Sequence, residues 1–218
     1  MPGSRPVIHV VRTPTANIAS VLAAFDRLGV EVAPAEGPDM IERSGAVVLP
    51  GVGSFDAGMR SMRENGLVEA IRRRVDGGRP VLAICLGMQI LFESSEESPG
   101  VEGLAVAAGT VGRFPAGVRV PQMGWNLVKP DPSCRVLRPG HAYYANSFRA
   151  AATPPGWLGA WSEHGGPFVG GMERGSVVAC QFHPELSGAW GARLLAGWLD
   201  LSGVPTPATR DLLESGAC

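Results

Sequence analysis

The stretch VLAICLGMQI at 81–90 does most to restrict the folds open to this chain. Its first five residues read as a buried strand; Cys85, Gly87 and a helix-like run then demand an abrupt strand-to-helix turn. Two more strand-like runs, Val7–Val11 and GAVVLPG at 45–51, precede it. Helical patterns separate the three. Ile18, Val21, Leu22, Phe25 and Leu28 share one face of NIASVLAAFDRLG, with Asn17 as the expected N-cap and Gly29 as the stop, and GLVEAIRRRVDGG carries a second helical spacing. Strands alternating with helices pair in parallel, which predicts a doubly wound α/β sheet.

After about residue 100 the rhythm changes to short segments punctuated by glycine and proline: GLAVAAGTVGRF, HAYYANSF, WLGAWSEHGG and SVVACQFHPE. These are expected as antiparallel strands and hairpins, added to the sheet or packed beside it. The helix in GAWGARLLAGWLDLSG is the last firm element, so residues 1–202 are expected to form one domain and 203–218 a loosely held, flexible tail.

A net charge of -1 gives no sign of a nucleic-acid surface, and Arg72, Arg73 and Arg74 are read as a solvated helix face. The opening MPGSRPVIHVV has too short an apolar core for a secretory signal, and no stretch approaches a membrane span, so the expectation is a cytoplasmic protein. Cys85, Cys134, Cys180 and Cys218 are widely spaced, which suggests neither a disulfide framework nor a metal site.

Three features carry chemistry. In an open α/β sheet ligands bind beyond the carboxyl ends of the strands, so Cys85 sits where a substrate would arrive. Its small neighbours Ala83 and Gly87 suit a nucleophile elbow, although a buried structural cysteine is the alternative. A thiol needs a base, and the base an orienting acceptor. If 177–185 is extended, His183 and Glu185 point to one side, with Pro184 stiffening the pair. They would otherwise be a strand-end histidine and a charge at a helix N-terminus. His9, His141 and His164 lack such a partner and are read as structural or surface residues. The third feature, Pro50-Gly51-Val52-Gly53, suits either half of an oxyanion hole or a plain turn, and lacks the spacing of a phosphate-binding loop.

Together these features resemble the class I (triad) glutamine amidotransferases. CLGMQILFESSEESPGVEGL, PGVGSFDAGM, PQMGWN and YYANSF are similar, more narrowly, to the glutaminase subunit of imidazole glycerol phosphate synthase, over about residues 7–200. The resemblance implies a flavodoxin-like doubly wound sheet with added antiparallel strands, and a Cys85–His183–Glu185 triad that hydrolyses glutamine. It implies an oxyanion hole from backbone N–H groups of Leu86 and around Gly51 and Val52. Glutamine contacts are implied at Gly53, Gln89, Asn146, Ser147 and Phe148, with no cofactor and no metal. It also implies a (β/α)8 cyclase partner in a heterodimer, which takes the ammonia and makes imidazole glycerol phosphate and an aminoimidazole-carboxamide ribonucleotide.

The chain departs from that pattern in places. RTPTAN keeps only Asn17 of the usual first loop, and Leu186 stands where lysine is common after His-Pro-Glu. Gln122 and Asn146 occupy positions where histidines are frequent, and Ala83 one where glycine is frequent. HPEL is also similar to the glutaminase of pyridoxal phosphate synthase, whose pattern after the nucleophile CLGMQ does not match. A cysteine hydrolase on the same sheet and a non-catalytic binder of a barrel protein are the other readings.

Overall fold

The computed structural model describes residues 6–12 and 18–214; the expected N-cap Asn17 and Cys218 lie outside them. The chain runs through β1 (Val7–Val11), α1 (Ile18–Arg27), β2 (Glu31–Ala35), α2 (Pro38–Arg43), β3 (Val47–Gly51), α3 (Phe55–Glu64), α4 (Val68–Asp76) and β4 (Val81–Cys85). There follow the short α5 (Leu86–Gln89), β5 (Phe92–Ser95), β6 (Ala107–Arg113), β7 (Gln122–Pro130), β8 (Gly140–Asn146), β9 (Phe148–Ala150) and β10 (Leu158–Glu163). The last elements are β11 (Pro167–Arg174), β12 (Val177–Cys180), a 3-10 turn at Pro184–Leu186, α6 (Gly188–Leu201) and α7 (Pro207–Glu214).

Nine strands form the main sheet in the order β2-β1-β3-β4-β12-β11-β10-β7-β8. From β2 to β12 the pairing is parallel, and from β12 to β8 antiparallel. The expected architecture is therefore present, with one correction: β12, read as an antiparallel addition, pairs in parallel with β4. The remaining strands, β5, β6 and β9, make a separate three-stranded sheet in which β5 and β6 are also parallel.

Side-chain alternation divides the core between the two faces of the main sheet. Val47, Leu49, Val81, Ala83, Val177 and Ala179 face α3, α4 and the small sheet. Val48, Leu82, Ile84, Val178 and Cys180 face α1 and α6, where Phe25 and Trp198 meet edge to face. With both faces covered, the parallel strands contain hardly a polar residue, the composition expected of such strands.

Three elements escape a reading by pattern alone. β2, EVAPA, carries Pro34, which an edge strand tolerates. α2 opens with Pro38 at its first turn. In α3, Gly58 interrupts the pattern of Phe55, Met59 and Met62; a Cβ there would come within 3.1 Å of the Leu86 side chain.

The arginine run is not uniformly solvated. Arg73 pairs with Glu42 at the surface, but Arg74 is 1% exposed and donates to the carbonyls of Ile41, Ser44, Gly45 and Pro80. Burial, and then the charge of Arg79, lower its pKa to about 10. It ties α4 to the end of α2 and to the chain entering β3 and β4. Beyond Ser202, where a loose tail was expected, the chain instead folds α7, with Thr206 and Thr209 buried and the Thr206 hydroxyl donating to the Leu28 carbonyl. Among the described residues no helix is long and apolar enough to cross a membrane.

Candidate active site

Cys85 ends β4 with φ 53 and ψ -109, a conformation that residues carrying a Cβ rarely adopt. Backbone strain of this kind persists only where the surroundings over-determine it. Here β3 lies in parallel register with Gly51 opposite Cys85. A Cβ on Gly87 would stand 1.9 Å from the Leu49 carbonyl oxygen, and one on Gly51 2.9 Å from the Leu86 Cβ. Glycine at both positions lets the turn out of β4 lie against the end of β3. The sulfur is thereby lifted to the carboxyl end of the sheet, and Gly51 and Leu86 fall beside it.

β12, next to β4, delivers the second group. His183 follows it in extended conformation, and its N–H donates to the Tyr143 carbonyl at 2.9 Å. Nδ1 of its side chain lies 2.8 Å from Glu185 Oε1, and Cys85 acts on the charge of the ring. Strand alternation through 177–185 does not produce this pair, as the sequence suggested. β12 stops at Cys180, and the 3-10 turn Pro184–Leu186 swings Glu185 under the imidazole. Pro184 stands at the first turn position, where its fixed φ favours the helical bend. Ser187 fastens the turn: its hydroxyl donates to the His183 carbonyl at 2.6 Å and accepts the Tyr143 N–H at 3.0 Å.

Both side chains are buried, His183 at 7% exposure and Glu185 at 3%. Burial works to lower the His183 pKa, but hydrogen bonds to Cys85 and Glu185, with their charges, outweigh it and raise the value to about 10. Cys85 and Glu185 thus favour the protonated ring against the cost of burying it. The other thiols differ. Burial and Glu173 push Cys134 up to about 12, and complete burial, with the charges of Glu185 and Glu173, drives Cys180 well above the ordinary range. Neither is poised as a nucleophile.

Of the expected substrate contacts, Gln89 and the Asn146–Phe148 segment converge. Gln89 Nε2 lies 3.4 Å from the Phe148 carbonyl, and Asn146 Nδ2 donates to the same oxygen at 2.9 Å. Asn146 Oδ1 is buried without a partner among the described residues. Gly53, at φ 97, sits in the bend between β3 and α3, and no hydrogen bond among the described residues joins it to that cluster. His9 and His164 are structural, bonded to the Ser44 hydroxyl and the Arg119 carbonyl, and His141 is exposed.

Residues 7–198 match the family described as glutamine amidotransferase class-I. The chain belongs to the class I glutamine amidotransferases. Among its relatives is the imidazole glycerol phosphate synthase subunit HisH of Thermus thermophilus, 44% identical over 83% of this chain and 90% of that protein. The chloroplastic imidazole glycerol phosphate synthase hisHF of Arabidopsis thaliana is 35% identical over 98% of this chain, a stretch that makes up 37% of the plant protein. A crystal structure of a glutamine amidotransferase shares the fold, with a TM-score of 0.72 and 24% identity, covering 90% of this chain and all of that one.

Two buried polar residues of this amidotransferase escaped the sequence reading. One is Ser187, described above. The other is Gln181, 1% exposed, whose Nε2 lies 3.7 Å from the Cys85 sulfur and whose Oε1 accepts from Gln89 at 2.9 Å. Its signal was a glutamine inside the otherwise apolar run VVACQF, two residues before His183 and so on the same side of an extended chain.

Proposed function

We propose that this chain is the glutaminase subunit of imidazole glycerol phosphate synthase, hydrolysing glutamine to glutamate and ammonia for a cyclase partner in histidine biosynthesis. The HisH relatives support the pathway and the subunit. The observation that carries the chemistry is the buried His183 ring set 2.8 Å from Glu185, its protonated form favoured by Cys85 and Glu185.

The thiolate of Cys85 attacks the side-chain amide carbon of glutamine, forming a carbon–sulfur bond. The oxyanion takes hydrogen bonds from the N–H of Leu86 and from a backbone N–H in the Gly51–Val52 segment, while Gly53, Gln89, Asn146, Ser147 and Phe148 hold the rest of the substrate. His183 gives its proton to the departing nitrogen, and ammonia leaves. Of the two partners that hold the imidazole protonated, Cys85 is now a neutral thioester. Burial, which opposes the charged ring, then makes His183 a base toward water. Water adds, the carbon–sulfur bond breaks, and glutamate is released with the thiolate and imidazolium restored. Glu185 holds the imidazole tautomer throughout.

A (β/α)8 cyclase docked as a heterodimer completes the reading. Met123, Trp125 and Leu127 alternate along one side of β7 and are 68%, 59% and 37% exposed. The Trp125 ring stands edge-on to Tyr143, whose backbone pairs with His183, and Leu186, also exposed, follows the triad. This apolar strip beside the site suits a protein partner over the ammonia exit. The reading assigns 1–202 as the glutaminase domain and places the protein in the cytoplasm.

The test is glutamate release by the purified chain, alone and with its cyclase plus the ribonucleotide ligand, with Cys85→Ala as control. Strong stimulation, lost in Cys85→Ala, is expected. No stimulation by a cyclase active on free ammonia would overturn the partnership.

A further inference from the structure

We propose that Gln181 is a further catalytic residue, a neutral donor that stabilises the Cys85 thiolate. The inference rests on Cys85 being the nucleophile. An anionic sulfur that is 7% exposed has lost most of its water and needs donors in exchange. The Gln181 amide, 3.7 Å from the sulfur and itself buried, supplies one.

The orientation of that amide is fixed by chemistry. Gln89 presents Nε2 to it, and an N–H can face only an acceptor, so Gln181 turns Oε1 toward Gln89 and Nε2 toward the sulfur. Gln89 is anchored in turn on the Phe148 carbonyl. The backbone N–H of Gln181 donates to the Gly170 carbonyl at 2.9 Å, which keeps the residue in line with β12 after that strand has ended. Phe148, Gln89, Gln181 and Cys85 thus form one hydrogen-bonded chain that ends on the nucleophile.

The consequence concerns two steps. A donor aimed at sulfur favours the thiolate over the thiol before attack, and favours it again when the carbon–sulfur bond of the thioester breaks. An amide does this without adding a charge beside His183, where a cation would weaken the imidazolium.

The test uses the full chain without glutamine. The rate of iodoacetamide alkylation of Cys85 is followed from pH 5 to 9 by mass spectrometry of the peptide that contains it, in the parent, Gln181→Met and Gln89→Met. With folding checked by circular dichroism, Gln181→Met should lower the rate at pH 7 about tenfold, as expected for loss of one hydrogen bond to a charged group. Gln89→Met, which frees the Gln181 amide to rotate, should lower it about threefold. This second variant carries the test if Gln181→Met fails to fold, since a purely substrate-binding Gln89 would leave alkylation unchanged. Profiles that superimpose on the parent's overturn the proposal, even where glutamine turnover falls. Gln181-dependent alkylation without any glutamate release would keep this inference and remove the reading of the substrate.

Discussion

The two halves of the main sheet meet at β12 and are built to opposite specifications. The central parallel strands β3 and β4 are covered on both faces, and their residues are all buried. From β11 to β8 the strands are antiparallel, and β7 leaves Met123, Trp125 and Leu127 in solvent. The parallel half fixes Cys85 through tight backbone packing, and the antiparallel half presents surface. β12 belongs to both, parallel to β4 and antiparallel to β11, and the chain leaving it carries Gln181, His183 and Glu185 to the sulfur. The site is therefore made at the seam, and substitutions on either side of it should fail differently.

The largest effect belongs to the parallel half. Gly87→Ala puts a methyl 1.9 Å from a backbone oxygen of β3, where no side chain can swing aside. The fold should lose about 3 kcal/mol in urea unfolding, the upper end for overpacking, and glutamine hydrolysis should fall with it. A loss under about 0.5 kcal/mol would mean that the ends of β3 and β4 separate easily, and that rigid packing does not hold Cys85 in its strained conformation.

At the seam, Glu185→Gln should keep the fold and lower kcat by about 10³-fold, because a neutral amide can hold the imidazole in the wrong tautomer. Stability should respond to pH with a definite sign. The folded-state pKa of His183, about 10, lies above its ordinary 6.5, so its contribution is full below about 6.5 and is lost as pH rises through about 10. Glu185→Gln removes one of the groups that raise it. The stability gap between parent and variant should be widest below about pH 6.5 and narrow toward pH 10, as read from urea midpoints; a gap that widens with pH would contradict this assignment.

The same division explains what could be read in the sequence. β1, β3 and β4 were legible because strands buried on both faces contain little but apolar residues, and Cys85 and Gly87 stood out against that background. β2 was not, since an edge strand accommodates Pro34, and neither was α3, whose Gly58 serves close packing on Leu86 rather than helix formation. Arg74 was misread because helical spacing does not reveal that four carbonyls, from α2 and from the segments entering β3 and β4, converge on one guanidinium. His183 and Glu185 were identified as partners, but from an assumed strand; the 3-10 turn that pairs them depends on Ser187 and Tyr143, which are distant from each other in sequence. The placement of Gln181 is likewise set over long range, since Gln89 lies 92 residues away.

The smallest effect on the chain itself, and the sharpest test of the contrast, lies in the antiparallel half. Trp125 touches the rest of the fold through Tyr143 and near Gly188, and most of its ring is in solvent. Truncation to alanine should cost the isolated chain no more than about 0.5 kcal/mol, the usual range for surface positions. Its alkylation profile at Cys85 should match the parent's, because no hydrogen bond or ring contact among the described residues joins Trp125 to Gln181 or His183. A solvent-exposed indole on an apolar strip is, however, the kind of residue that anchors a protein interface, where its loss costs about 2 kcal/mol, or roughly 30-fold in Kd. Titration of the cyclase against parent and Trp125→Ala separates the two roles. Weaker binding with unchanged alkylation is the expected result, and it would mean that the two halves can be altered independently. Unchanged binding would move the docking surface away from β7, and altered alkylation would show that the strip and the nucleophile are mechanically one unit.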